Sequence, residues 1–154
     1  MQLLKIYYAY FSPGNTTEKV VSHIASSFQN YPVESINLTD YATRQEDYYF
    51  KENELLIIGV PAYGGRVPAP VVDALRHFTG SNTPVVLVAT YGNRDIDDTL
   101  IELKKNVIDK GFIPVGAASF VCQHTFLKEC AEGRPDEEDL KMAGEFGDKL
   151  KERL

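Results

Sequence analysis

Apolar positions along the chain follow two different periods. Runs with no polar face stand at Gln2 to Tyr10, Leu55 to Val60, Pro84 to Thr90 and Phe112 to Val121. That is the pattern of strands buried on both sides. Val33 to Leu38 alternates weakly and reads as an edge strand. Between these runs the period changes to that of a helix. Val20, Val21, Ile24, Ala25 and Phe28 form one stripe over 17–28. Pro70 to Phe78 reads as a helix with proline near its start. Ile96 to Lys110 places Ile96, Leu100, Leu103, Val107 and Ile108 on one side and is stopped by Gly111. Asp136 to Leu154 opens with Asp136, Glu137 and Glu138, which suit the positive end of a helix. Thr39 to Lys51 is polar apart from its aromatics, with room for a short helix, and the Pro- and Gly-rich stretch 61–68 reads as irregular. Strands separated by helices run parallel with right-handed crossovers. The expected architecture is a three-layer α/β domain over 1–154, with a doubly wound five-stranded parallel sheet in the order 2-1-3-4-5.

Charge and cysteine content narrow the function. The 154 residues hold 16 Lys and Arg against 22 Asp and Glu, a formal net charge of −6. Nucleic acids and anionic membranes recruit clustered cations, so neither is an expected partner. Cys122 and Cys130 are the two cysteines, with no CxxC and no run of metal-ligand spacing, so no metal site is expected. The first residues, MQLLKIYYAYFS, are too short an apolar stretch for a membrane span and lack a signal-peptide cleavage pattern. A cytoplasmic protein with reduced thiols is expected.

In an open α/β sheet, ligands bind beyond the carboxyl ends of the strands. The first such loop is Ser12-Pro13-Gly14-Asn15-Thr16-Thr17, leading into a helix. Hydroxyls and backbone N–H groups at a helix start can hold a phosphate without Lys or Arg; the plainer reading is that Thr16 or Thr17 only starts the helix. The loop after the third strand is Pro61-Ala62-Tyr63-Gly64-Gly65-Arg66, and after the fourth Thr90-Tyr91-Gly92-Asn93-Arg94. Each sets an aromatic ring beside glycine. Either tyrosine alone is an ordinary turn residue; together they can flank a planar ring. A ligand with a phosphate at one end and a flat ring at the other fits, and flavin mononucleotide (FMN) is the simplest.

The segments YFSPGNTTEKV, IIGVPAYGGRVPAP, LVATYGNRDIDDTLIELK, GFIPVGAASFVCQHTF and GRPDEEDL resemble a flavodoxin-like protein. They are most similar to the flavodoxin-like half of bacterial flavodoxin–ferredoxin fusion proteins. The resemblance implies phosphate contacts from Ser12, Gly14, Asn15, Thr16 and Thr17. It implies ring contacts from Pro61, Ala62, Tyr63, Gly64, Gly65, Thr90, Tyr91, Gly92, Asn93 and Arg94. Two departures stand out. Gly14 and Asn15 occupy places where the family has Thr and Gly, which removes one hydroxyl. Cys122 and Gln123 precede His124 where relatives tend to carry Gly and Glu. The fusion proteins continue into a cysteine-rich cluster domain; residues 1–154 hold none, which implies a single flavin-type centre.

His124 follows the last strand on the ligand side and is the one candidate for proton donation or ring-edge contact, against the plain reading of a loop histidine capping backbone groups. Cys122 reads as a small buried apolar residue, and Cys130 as an exposed one. Arg66 and Arg94 read as solvated or ion-paired. The expected function is an FMN-binding electron-transfer protein working with redox partner proteins, for which a basic docking face suits the acidic charge. Two alternatives stand beside it: an FMN-dependent NAD(P)H:quinone-type oxidoreductase, and a flavodoxin-like fold with a degenerate flavin site. Phosphoacceptor chemistry is excluded because no acidic pair follows the first strand and no Asp the third, and low-molecular-weight phosphatase chemistry because Ser12 to Thr17 holds neither Cys nor Arg.

Overall fold

The computed structural model describes residues 2–92, 95–124 and 129–154. Five strands form one parallel sheet: β1 (Lys5–Tyr10), β2 (Val33–Asn37), β3 (Glu54–Pro61), β4 (Thr83–Tyr91) and β5 (Phe112–Val121). Their order is β2-β1-β3-β4-β5, the expected 2-1-3-4-5. The helices are α1 (Thr16–Ala25), α2 (Tyr41–Arg44), α3 (Ala69–Leu75), α4 (Thr99–Ile108) and α5 (Glu137–Arg153).

Strand periodicity explains the three layers. Successive side chains point to opposite faces, so the uninterrupted apolar runs of β3 and β4 supply two cores at once. Leu55, Ile57, Val86 and Val88 pack under α1 and α5 with Val20, Val21, Ile24 and Ala143. Leu56, Ile58, Val60, Val85 and Leu87 pack under α3 and α4 with Val71, Leu75, Leu103 and Val107. Every residue of β3 and all of β4 but Tyr91 is buried. At Gly59, α1 lies directly on the sheet: a Cβ there would stand 2.2 Å from Val21 Cγ2 and 3.1 Å from Thr17 Cγ2.

Several element bounds differ from those the sequence suggests. The first strand begins at Lys5, not Gln2. The helix expected to run to Phe78 ends at Leu75, and Phe78–Thr79 instead pairs in parallel with Tyr48–Tyr49. Phe78 is fully buried against Phe50 and Tyr48, an aromatic packing that outweighs helix continuation. The helix expected from Ile96 starts at Thr99, and Ile108 is 47% exposed, off the buried face formed by Thr99, Leu103 and Val107. Stretch 61–68 is more regular than expected. Tyr63 and Arg66 exchange both backbone hydrogen bonds at 3.0 Å, with Gly64 (φ 59) and Gly65 (φ 74) between them. Two positive φ values at the centre of a two-residue hairpin are the type I′ geometry, which glycine adopts without strain.

Candidate functional site

The loops after β1, β3, β4 and β5 meet at the carboxyl ends of the strands. The first makes a turn closed by Asn15 N donating to Ser12 O at 3.0 Å. Asn15 itself is left-handed, φ 65, a conformation Asn tolerates better than most residues. It therefore does the backbone work of the absent glycine. The first N–H groups of a helix have no intrahelical acceptor. The Ser12 hydroxyl accepts from Glu18 N at 3.0 Å, while Ser12 N donates to Thr39 Oγ1 at 2.7 Å. The Thr17 hydroxyl pairs with that of Thr90 at 2.8 Å between fully buried side chains. Two of the loop's three hydroxyl residues are thus turned inward, Ser12 against the first turn of α1 and Thr17 holding α1 to β4.

Two adjoining cavities result. The smaller, about 190 Å³, lies between the tyrosine loops and is lined by Pro61, Ala62, Tyr63, Gly64, Thr90, Tyr91, Gly92 and Cys122. The larger, about 490 Å³, sits over the start of α1 and is lined by Pro13, Gly14, Asn15, Lys19, Gly133, Arg134 and Pro135. Thr16, Gln123 and His124 line both. Together they fall within the roughly 300–1,000 Å³ of small-ligand sites. The two chambers differ in chemistry. The first is walled by aromatic and aliphatic groups with glycine backbone; the second is polar, carries Lys19 and Arg134, and has no Asp or Glu among its described lining residues.

The glycines flanking the smaller cavity have separate reasons. A Cβ on Gly64 would meet nothing within 4 Å, so the turn's tip is open to a ligand. A Cβ on Gly65 would lie 2.5 Å from Asp97 Oδ2, so Gly65 packs away from the cavity against the start of α4. A Cβ on Gly92 would lie 2.7 Å from His124 Cβ and 2.9 Å from its Cα. That glycine is what lets His124 close over the end of β4. Arg66 is bidentate to Glu102, at 2.9 and 3.0 Å, and Glu102 also accepts from Val67 N at 2.9 Å. The Arg66 guanidinium holds the Glu102 carboxyl below the usual carboxylate range despite burial. Arg66 ties the turn to α4, the ion-paired role expected of it.

Of the residues expected to touch a ligand, Gly14, Asn15 and Thr16 line the polar cavity. Pro61, Ala62, Tyr63, Gly64, Thr90, Tyr91 and Gly92 line the flat one, and Thr16 and His124 line both. Ser12, Thr17 and Gly65 stand just behind the walls as supports. Asn93 and Arg94 lie outside the described residues. Cys122 is buried, and desolvation pushes its thiol up to about 12 although the Thr16 hydroxyl acts the other way. It lines the cavity wall as the small buried residue expected from the sequence. Cys130 is less exposed than expected; its thiol donates to Gly92 O at 2.9 Å. Lys19, Gln123 and Arg134 were not foreseen as lining residues. No local motif announces them, since Lys19 and Arg134 meet only through the fold.

Among the described residues no group of three His, Cys, Asp or Glu is placed to hold a metal ion. No described helix is long and apolar enough to cross a membrane.

The fold and the site define a doubly wound α/β protein with a composite cleft at the switch of strand order, where such sheets bind their ligands. The architecture is the flavodoxin-like fold, and solved structures show it directly. A flavodoxin from the domain Archaea superposes with a TM-score of 0.66 over 97% of this chain and 98% of its own, at 15% identity. Flavodoxin 2 of Bacillus cereus gives 0.67 over 97% and 99%, at 15% identity. The flavodiiron protein of Giardia intestinalis gives 0.61 over 99% of this chain but 36% of its own, at 12% identity. No family model and no curated protein matches the sequence.

Proposed function

We propose that this chain binds FMN in the composite cleft and serves as an electron-transfer flavoprotein. The observation that carries the reading is the adjacency of an apolar slot flanked by Tyr63 and Tyr91 to a polar chamber at the start of α1. A flavin ring suits the first chamber and a ribityl phosphate the second. Neighbours in fold that overlap nearly the whole of both chains are flavodoxins by name, which supports the same ligand.

The flavin would supply the redox chemistry. The protein's own residues do four things. Pro61, Ala62 and Cys122 exclude water from the ring slot. The open tip at Gly64 lets backbone approach the ring. Backbone at Gly14–Thr16 and the helix start receive the anionic tail. His124 closes the boundary between the chambers, resting on Gly92. Exposed Asp95, Asp97 and Asp98 beside the Gly64–Gly65 turn, with the net charge of −6, favour a redox partner with a basic face. The motif resemblance to flavodoxin–ferredoxin fusion proteins favours a partner carrying an iron–sulfur centre. The two free cysteines favour a reducing compartment such as the cytoplasm.

Absorption of the freshly purified protein, followed by titration of the stripped protein with FMN, tests the reading. The expected result is a yellow protein, or full quenching of added FMN fluorescence at one equivalent, with negligible NAD(P)H oxidation. A colourless protein that leaves FMN fluorescence unchanged overturns flavin binding. Rapid NAD(P)H turnover with a quinone overturns the carrier role and leaves flavin binding standing.

A further inference from the structure

The polar chamber has a second wall, remote in sequence from the first loop. Its far side is Gly133, Arg134 and Pro135, and Lys19 stands one turn into α1. We propose that Lys19 and Arg134, in place of the first loop's hydroxyls, select a phosphorylated flavin over its unphosphorylated counterpart. This rests on the flavin reading and adds the residues that decide which flavin is held.

Three observations converge. First, two of the loop's three hydroxyls face away from the chamber, since Ser12 and Thr17 line neither cavity. Ser12 accepts from Glu18 N and Thr17 pairs with Thr90, both side chains being buried. Only Thr16 and Asn15 offer side-chain donors from that side. Second, helical side chains tilt toward the N-terminus. Exposed Lys19 therefore reaches back over the first turn of α1, where the helix dipole already favours an anion. Third, Arg134 is built in place. Nε and Nη2 bond Asp139 at 2.9 and 2.6 Å. Asp139 is buried and locked in a reciprocal capping box with Asp136 at the start of α5. The Arg134 carbonyl accepts from Gln123 N at 2.7 Å, and Gly133 N donates to Gln123 Oε1 at 3.2 Å. A guanidinium has five N–H donors, so the pair with Asp139 leaves three for a ligand.

The two cations contribute differently. Asp139 balances the charge of Arg134, so Arg134 provides fixed, directional donors. Lys19 provides net charge, and its effect is screened by salt. Riboflavin has the same ring and ribityl chain without the phosphate, so it isolates this wall.

The test measures FMN and riboflavin dissociation constants by flavin fluorescence quenching at low and high ionic strength. It uses the full chain and the variants Lys19→Gln, Arg134→Gln and Arg134→Lys. The wild type should favour FMN by at least roughly ten-fold. Lys19→Gln should weaken FMN by roughly three- to ten-fold at low salt, flatten its salt dependence and leave riboflavin unchanged. Arg134→Gln should weaken FMN alone. Arg134→Lys keeps a partner for Asp139 and guards against loss of α5; it should still weaken FMN, because an ammonium cannot serve Asp139 and a ligand with the same fork. Unchanged FMN affinity in Lys19→Gln and Arg134→Lys overturns the proposal while flavin binding stands. If neither flavin binds, the flavin reading fails, and inorganic phosphate decides the wall. A phosphate-dependent rise in melting temperature that Lys19→Gln abolishes supports it, and no rise in the wild type overturns it.

Discussion

Gly59→Ala offers the sharpest check on how α1, and with it the first loop, is positioned. The added Cβ would stand 2.2 Å from Val21 Cγ2 and 3.1 Å from Thr17 Cγ2. Carbon atoms rest at about 3.5–4.0 Å, so the Val21 contact is short by about 1.5 Å. Val21 is fully buried, and a β-branched side chain in a helix strongly prefers one χ1 rotamer. Either α1 lifts from the sheet or the core strains. Overpacking of this kind costs about 1–3 kcal/mol, and a chain of this size loses roughly 2–4 °C in melting temperature per kcal/mol. Val21→Ala alone removes two buried methyl groups and should cost about 2 kcal/mol. In the double variant the new methyl occupies space the valine vacated. The two losses should then fall short of additivity by about 1–2 kcal/mol. Urea denaturation of the four proteins, followed by circular dichroism, measures this cycle. Additivity within about 0.5 kcal/mol would refute the claim that this contact sets the height of α1 over the sheet.

Other expectations follow from the same contacts. Thr17→Val should cost about 1–3 kcal/mol by orphaning the buried Thr90 hydroxyl, and Thr17→Val with Thr90→Val should regain much of it; chemical denaturation reads both. At the turn's tip both glycines have positive φ, but only Gly65 faces an obstacle. Gly64→Ala should therefore cost about 1–2 kcal/mol and Gly65→Ala more, and equal losses in thermal melts would count against the packing on Asp97. Arg134 holds the Asp139 carboxyl down at about 2, against burial, so the pair stabilises the fold fully above the free carboxylate range. That stabilisation fades as pH falls through about 2. With Arg134 39% exposed it amounts to about 1 kcal/mol. The stability gap between wild type and Asp139→Asn should therefore narrow from pH 5 to pH 2, and a constant gap would rule the pair out as its source. Burial that pushes Cys122 up to about 12 predicts that iodoacetamide at pH 8 spares it in the native protein, with any alkylation confined to Cys130; mass spectrometry of the digest locates the label.

The five strands of the main sheet, their alternation with helices and their order were legible in the sequence because each depends on local periodicity and on the handedness of parallel crossovers. β5 agrees at both ends with the apolar run Phe112–Val121, and the left-handed Asn15 agrees with the intrinsic tolerance of Asn. The tyrosine loops were legible too, since their place at strand ends follows from the topology. The early end of α3 was not, because the partner that holds Phe78 in a strand lies some thirty residues back at Tyr48. Nor could sequence tell a hydroxyl that faces a ligand from one that faces the core. Ser12 and Thr17 look alike with Thr16 in the loop; only the packing of α1 on β3 and β4 turns them inward and leaves Thr16 at the cleft. Lys19 and Arg134 share a chamber because α1 and the entry to α5 converge on the same end of the sheet. Local patterning determined what each segment becomes; which side chains face one another was decided by the tertiary structure, since those contacts join segments that no local period relates.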